Sequence, residues 1–305
     1  MRVFGAKETA DLLPYGPLAE SIRAVALAAR EGRAKAPPRV RVPLPGGGAL
    51  LIMPASDGEL AITKLVTVHP GNAARGMPTV QGEVVALEAA TGRRLGLLEG
   101  GALTARRTAA LSLLAARELA PRPEGPLLIV GAGTQGRSHL EAFREGLGVR
   151  RAFIVSRTRQ SARGLAEHAQ SSLGMEARAV RSPEEALGEA RLVVTATTSR
   201  EPVLPGALHP ETFVAAVGAY TPEMAELPPA LVAGSSVFVD TLEGAREEAG
   251  DLLRAAGEGR FRWEEAGELA DALRGNRPPP GRPVVFKSVG HALWDLAAAR
   301  RALLR

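Results

Sequence analysis

The chain contains no cysteine, only two asparagines and, among its 38 basic residues, only four lysines: Lys7, Lys35, Lys64 and Lys287. Without cysteine there is no disulfide framework, no thiol nucleophile and no thiolate metal site. Aromatic residues make up 4% of the chain, and Trp263 and Trp294 read as packing residues rather than stacking platforms. No apolar run reaches membrane-spanning length. The opening Met1 to Glu8 lacks the hydrophobic region of a signal peptide, so the expectation is a cytoplasmic protein with no membrane partner. His69, His139, His168 and His209 are scattered without ligand spacing, so no metal site is expected.

What is present is a 305-residue chain with 45% hydrophobic and 23% charged residues, enough for a large core or two domains. The net charge of +5 and a pI near 10.2 invite a nucleic-acid reading. The arginines, however, are interleaved with Glu and Ala, as in Arg23 to Arg33 and Arg246 to Arg254. No block of like charge forms, so no nucleic-acid partner is expected. Scarce asparagine, absent cysteine and proline placed in loops together read as thermal adaptation.

Helical spacing of Leu18, Ile22, Val25 and Ala28 predicts a helix within the first 35 residues, ended by Pro37-Pro38. From Arg39 to about Leu98 short β-like runs alternate with turns at Gly46-Gly47-Gly48, Pro70-Gly71-Asn72 and Thr91-Gly92. An Ala/Leu-rich helix over 103–119 follows. At Leu127-Leu128-Ile129-Val130 the pattern changes to short continuous apolar runs separated by helices. That is the mark of parallel strands covered on both faces. The predicted fold class is α/β: a Rossmann-type doubly wound sheet domain over 119–287, and an α+β domain made from 1–118 with 288–305.

Gly131-Ala132-Gly133-Thr134-Gln135-Gly136 lies directly between the first buried strand and a helix, the context in which G-x-G-x-x-G is a dinucleotide loop. Gly131 permits the tight turn, Gly133 lets the backbone approach a pyrophosphate, and Gly136 allows close helix–strand packing. The second strand ends at Val155-Ser156-Arg157, with no acid to accept a ribose 2′-hydroxyl. Ser156 and Arg157 suit a 2′-phosphate, so NADP(H) is expected in preference to NAD(H).

In the N-terminal half, Arg39, Lys64 and Arg107 sit near turns or element ends. Converged, they would hold a carboxylate through charge-assisted contacts. Lys64 stands out because a lysine inside an apolar run needs a reason in a chain that otherwise uses arginine.

Several segments then occur in one order: Pro38-Arg39, Met53-Pro54-Ala55, Lys64 with His69-Pro70-Gly71-Asn72, Pro78-Thr79, Arg107-Thr108-Ala109-Ala110, the glycine loop, and Phe286-Lys287-Ser288-Val289-Gly290. Over nearly its whole length the chain resembles the ornithine cyclodeaminase/mu-crystallin family. The resemblance implies a homodimer in which the N-terminal part and the last helix form the substrate- and dimer-forming domain. It also implies that Arg39, Lys64 and Arg107 hold the substrate carboxylate and that Val289 lies beside the substrate. Thr79, Arg107, Thr134, Gln135, Ser156, Thr197 and Ser288 would contact the dinucleotide.

The expected function is an NAD(P)H-dependent oxidoreductase acting on a small α-imino or α-amino acid, with Lys64 as the catalytic residue. The resemblance leaves two alternatives: an ornithine or lysine cyclodeaminase that recycles NAD internally, and a mu-crystallin-like binder of NADPH without turnover. Against the first, the cyclodeaminases carry a catalytic Asp two residues after the glycine corresponding to Gly218. Here Tyr220 stands there, and Leu51 occupies a position where an ornithine-specific enzyme would carry an acid.

Overall fold

The computed structural model describes residues 1–304; Arg305, included in the expected first domain, lies outside them. The chain divides into two compact units, the first formed by Met1–Leu111 together with the C-terminal segment from His291, the second by Ser112–Gly290. The divisions thus fall inside a helix and just before the last one, a few residues from 118 and 288.

The first unit opens with strand β1 (Arg2–Phe4) and helices α1 (Ala6–Asp11) and α2 (Tyr15–Arg30). This corrects the expectation of one helix running to the proline pair. Helix α2 closes at Glu31, followed by Gly32 at φ +74°, a left-handed position that glycine takes at no steric cost. Strands β2 (Val40–Leu44), β3 (Gly48–Ser56), β4 (Leu60–Val68), β5 (Val80–Glu88) and β6 (Arg94–Glu99) form an antiparallel meander. β1 pairs in parallel with β6 at its edge.

Alternation along the strands decides which face is covered. In β4 the residues Leu60, Ile62, Lys64 and Val66 are buried, whereas Leu65 between them is exposed. Met53 and Val84 flank Lys64 across the neighbouring strands. Thus the one buried lysine of this sheet sits in an apolar row. The C-terminal helix (Ala292–Leu303) joins α2 through a hydrogen bond from the Ser21 hydroxyl to the Ala297 carbonyl, 2.7 Å. Helix α3 (Gly100–Leu119) begins where the Glu99 carboxylate accepts from the Gly101 and Ala102 amides at 2.9 and 2.6 Å. It runs on into the second unit at Ser112.

The second unit alternates β7 (Leu127–Val130), α4 (Thr134–Leu147), β8 (Arg151–Val155), α5 (Arg159–Leu173), β9 (Glu176–Ala179), α6 (Glu184–Leu187) and β10 (Leu192–Thr195). It continues through β11 (Phe213–Ala216), α7 (Pro229–Ala233), β12 (Ser236–Val239), α8 (Leu242–Glu248), α9 (Gly250–Gly257), β13 (Gly267–Glu268), α10 (Leu269–Ala272) and β14 (Val284–Lys287). All pairings are parallel, in the order β13-β12-β14-β11-β10-β7-β8-β9. The order reverses between β7 and β10, the switch point at whose carboxyl ends doubly wound sheets bind ligands. Among the described residues no helix is long and apolar enough to cross a membrane, and no cluster of three His, Asp or Glu could hold a metal ion.

His139 on α4 shows how a buried titratable group is settled within this unit. Its Nδ1–H donates to the Gln135 carbonyl at 2.7 Å, and its Nε2 accepts from the Ser112 hydroxyl at 2.9 Å. Both ring nitrogens are used and the ring is neutral; burial pushes its pKa down from 6.5 to about 4. The unfolded chain therefore binds the extra proton between these values. Stability from this site is complete above about pH 6.5 and lost as pH falls toward 4, by about 3 kcal/mol in all. Denaturant titrations across that range should show this loss, and His139→Gln should flatten it; an unchanged slope in the variant would exclude the site as its source.

Candidate functional site

In the first unit, Lys64 points from the covered face of β4 toward the C-terminal helix. Its Nζ lies 2.7 Å from Asp295 Oδ2, and Arg107 Nε on α3 donates to Asp295 Oδ1 at 3.2 Å. All three side chains are buried. Two cations therefore share one carboxylate in a place closed to water. Burial is the main reason that the Lys64 pKa falls from 10.5 to about 8; Asp295 opposes the fall, and the charges of Arg107 and Arg39 add to it. The three residues singled out in the sequence are thus brought into one electrostatic group. Asp295, which holds two of them, was not singled out.

In the second unit, the carboxyl ends of β7, β8 and β10 enclose a cleft of about 600 Å³, lined by Gly131, Ala132, Gly133, Ser156, Arg157 and Thr197, among others. Gly131 takes φ +110°, and an added Cβ would strike the Ala196 carbonyl at 2.4 Å. A Cβ on Gly136 would meet the Gly131 carbonyl at 1.9 Å, whereas one on Gly133 would meet nothing within 4 Å. The first and last glycines are therefore required by packing, and the middle one leaves the backbone approachable. The Ala132 amide bonds the Ser156 hydroxyl at 3.4 Å, tying the glycine loop to the end of β8.

Three observations fit a dinucleotide here. Helix α4 begins at Thr134 with no side-chain cap on its N-terminus, which leaves amide donors for phosphate. The surface over Gly133 is open. Gln135 Oε1 is shielded from water and has no partner among the described residues.

The remaining candidates are spread more widely. Ser288, at the end of β14, donates to Asp240 Oδ2 at 2.6 Å. Val289 is buried in the apolar core of the second unit. Thr79 precedes β5 in the first unit and gives its carbonyl to the His69 amide at 2.8 Å. Tyr220 is partly exposed on the loop after β11.

That loop is closed on itself by Glu226, which is fully buried. Its Oε1 accepts from the Thr197 amide and hydroxyl at 2.6 and 2.9 Å; its Oε2 accepts from the Thr195 hydroxyl and the Gly218 and Ala219 amides at 3.0, 2.8 and 3.3 Å. Burial pushes the carboxyl above its usual range and Asp251 adds to this, while Lys287 and the Thr197 donors pull the other way. Lys287 pairs with Asp251 at 2.8 Å and donates to the Ala219 carbonyl at 2.6 Å. Asp251 in turn accepts from the Glu226 and Leu227 amides.

The model described as the ornithine cyclodeaminase/mu-crystallin family matches residues 8–302. Delta(1)-pyrroline-2-carboxylate reductase 1 of Burkholderia multivorans is 40% identical over 304 residues, 98% of this chain and 94% of that protein. Ketimine reductase mu-crystallin of Mus musculus is 35% identical over 257 residues, 83% of this chain and 79% of that protein. Among solved structures, Delta(1)-pyrroline-2-carboxylate reductase of Thermococcus litoralis, in complex with NADH and L-proline, superposes with a TM-score of 0.93 at 31% identity, covering 99% of this chain and 96% of that one.

Proposed function

The chain belongs to the ornithine cyclodeaminase/mu-crystallin family, and from that premise we propose that it uses NAD(P)H to reduce a small cyclic α-imino acid of the Δ1-pyrroline-2-carboxylate kind to the corresponding amino acid. The observation that carries this reading is the pair of buried cations, Lys64 and Arg107, on the single carboxylate of Asp295. One positive charge is left over in a dry site, and a substrate carboxylate supplies its complement. Arg39, close enough to depress Lys64, is the third member of the clamp.

When bound, the reduced nicotinamide supplies a hydride to the imine carbon. Arg107 and Arg39 orient the carboxylate through the fixed fork of their guanidinium donors. Lys64, with a pKa of about 8, holds the carboxylate and is the chain's own source of the proton that the ring nitrogen takes up. Gly131, Gly133, Thr134, Gln135, Gly136, Ser156, Thr197 and Ser288 form the dinucleotide site of the second unit. Tyr220, in place of a carboxylate base, weighs against cyclodeamination, because a phenol cannot take over the proton transfers of a carboxylate.

NADP(H) is the preferred form, because Ser156-Arg157 directly follow β8 and both residues line the cleft. The active assembly is a homodimer. Val40, Ile52 and Leu65 form one cross-strand row on the uncovered face of the six-stranded sheet, Val42 and Leu50 the next. Three of these five are 40% exposed or more, and a second copy would cover them. Sedimentation as a monomer would overturn the dimer.

Purified protein should oxidise NADPH when given Δ1-pyrroline-2-carboxylate or its six-membered homologue, with proline or pipecolate as product. It should release no ammonia from ornithine. Arg157→Ala should weaken NADPH binding by about 10- to 100-fold, the worth of a charged phosphate contact, and leave NADH binding unchanged. Equal losses for both cofactors would remove the basis for the preference.

A further inference from the structure

Thr197 lines the dinucleotide cleft, and its hydroxyl has one proton to give. That proton goes to Glu226 Oε1 at 2.9 Å, and Thr197 Oγ1 itself accepts from the Ser199 amide at 3.2 Å. Toward any ligand, therefore, the Thr197 oxygen can offer only a lone pair.

The surroundings hold Glu226 to the accepting role, since the Thr195 hydroxyl and the Thr197, Gly218 and Ala219 amides all donate to its carboxylate. An added Cβ on Gly218 would come within 2.2 Å of the Thr197 carbonyl and 2.4 Å of Glu226 Oε1, and one on Gly131 within 3.2 Å of Thr197 Cγ2. Both glycines are packed against this residue. Glu226 is itself fixed from behind, because Asp251 on α9 accepts from its amide. Arg254, one turn further along α9, donates to the Glu223 carbonyl at 3.0 Å and the Arg200 carbonyl at 2.7 Å. The loop from Gly218 to Leu227 and the segment from Thr197 to Arg200 are held by one helix and one carboxylate.

We propose that Glu226 is a positioning residue that commits Thr197 to accept, so that this wall of the cleft selects a donor group of the dinucleotide, a ribose hydroxyl or the carboxamide N–H₂. The proposal rests on the dinucleotide reading given above. It extends that reading to a residue that touches no ligand.

The substitution that isolates the role is Glu226→Gln. It keeps the volume, but in either amide orientation an N–H₂ group meets a backbone N–H, that of Thr197 or that of Gly218. The readout is NADPH affinity, followed by quenching of protein fluorescence and by enhancement of nicotinamide fluorescence, with thermal unfolding measured alongside.

Glu226→Gln should weaken NADPH binding about tenfold or more, the cost of an unmet buried donor. Thr197→Val should do the same and Thr197→Ser should not. Val193→Ala, a core truncation in β10, the strand that leads to Thr197, should lower the unfolding temperature and leave the affinity unchanged. Parental affinity in Glu226→Gln, or in Thr197→Val should the first variant fail to fold, would overturn the proposal. So would an equal loss in Val193→Ala, since affinity would then merely follow stability. If the parent protein itself binds no NADPH, it is the dinucleotide reading that fails.

Discussion

Lys64→Ala is expected to lower kcat/KM for the imino acid by about 10²- to 10³-fold, the equivalent of removing one partner from a buried, charged contact, while NADPH binding is retained. The pH profile gives a second reading of the same residue. The ammonium form binds the carboxylate, and it prevails below its pKa of about 8. In the parent, kcat/KM should therefore hold steady below that pH and fall about tenfold per unit above it. Lys64→Ala should lack this alkaline limb. Lys64→Arg should move it beyond the measurable range, because guanidinium does not titrate there. An alkaline limb near pH 8 that persists in Lys64→Ala would assign it to another group and remove Lys64 from the mechanism.

The second large effect concerns Asp295. Asp295→Asn leaves Lys64 and Arg107 together in a closed site with no counter-charge, and the cost should be about 3–5 kcal/mol of stability. Losing the Asp295 attraction also lowers the Lys64 pKa further, since that attraction is what opposes burial. The alkaline limb should then shift below pH 8. A distinguishing test uses the product: L-proline, bringing a carboxylate of its own, should raise the unfolding temperature of Asp295→Asn more than that of the parent. An equal or smaller rise would mean that ligand and Asp295 do not answer the same excess of charge.

How much of this was legible beforehand depended on how local each signal was. The glycine loop was readable because strand, turn and helix follow one another within a dozen residues, and each glycine has a separate steric reason. Lys64 was readable as a lysine in an apolar run of an arginine-rich chain. Asp295 was not readable from its spacing to Lys64 or Arg107, because its partners are far away in sequence. A local clue did exist: an acid set between Trp294 and Leu296 in an otherwise apolar and alanine-rich helix, where a buried charge calls for a partner.

Glu226 lies in a loop with no periodicity to mark it as buried, and only the ring of amides that the fold builds around it explains it. β1 is three residues long and pairs with β6, so no local pattern announces it. β14 was noted as a motif but not as a strand, and it inserts between β11 and β12 out of chain order. Such pairings come from tertiary context.

The discontinuous make-up of the first unit has a consequence for the order in which the protein takes shape during synthesis. Its sheet is translated early, but the helix bearing Asp295 comes last, 188 residues after Arg107. The second unit is contiguous in the chain, but its inner strand β14 ends at Lys287 and that helix begins at Ala292, so the two units are completed together. Until then the covered face of the sheet is bare, and Lys64 has no reason to leave water. Closing so long a loop costs little more than closing a short one, so the delay is one of timing rather than of equilibrium. The cluster of Lys64, Arg107 and Asp295 is therefore among the last features to form.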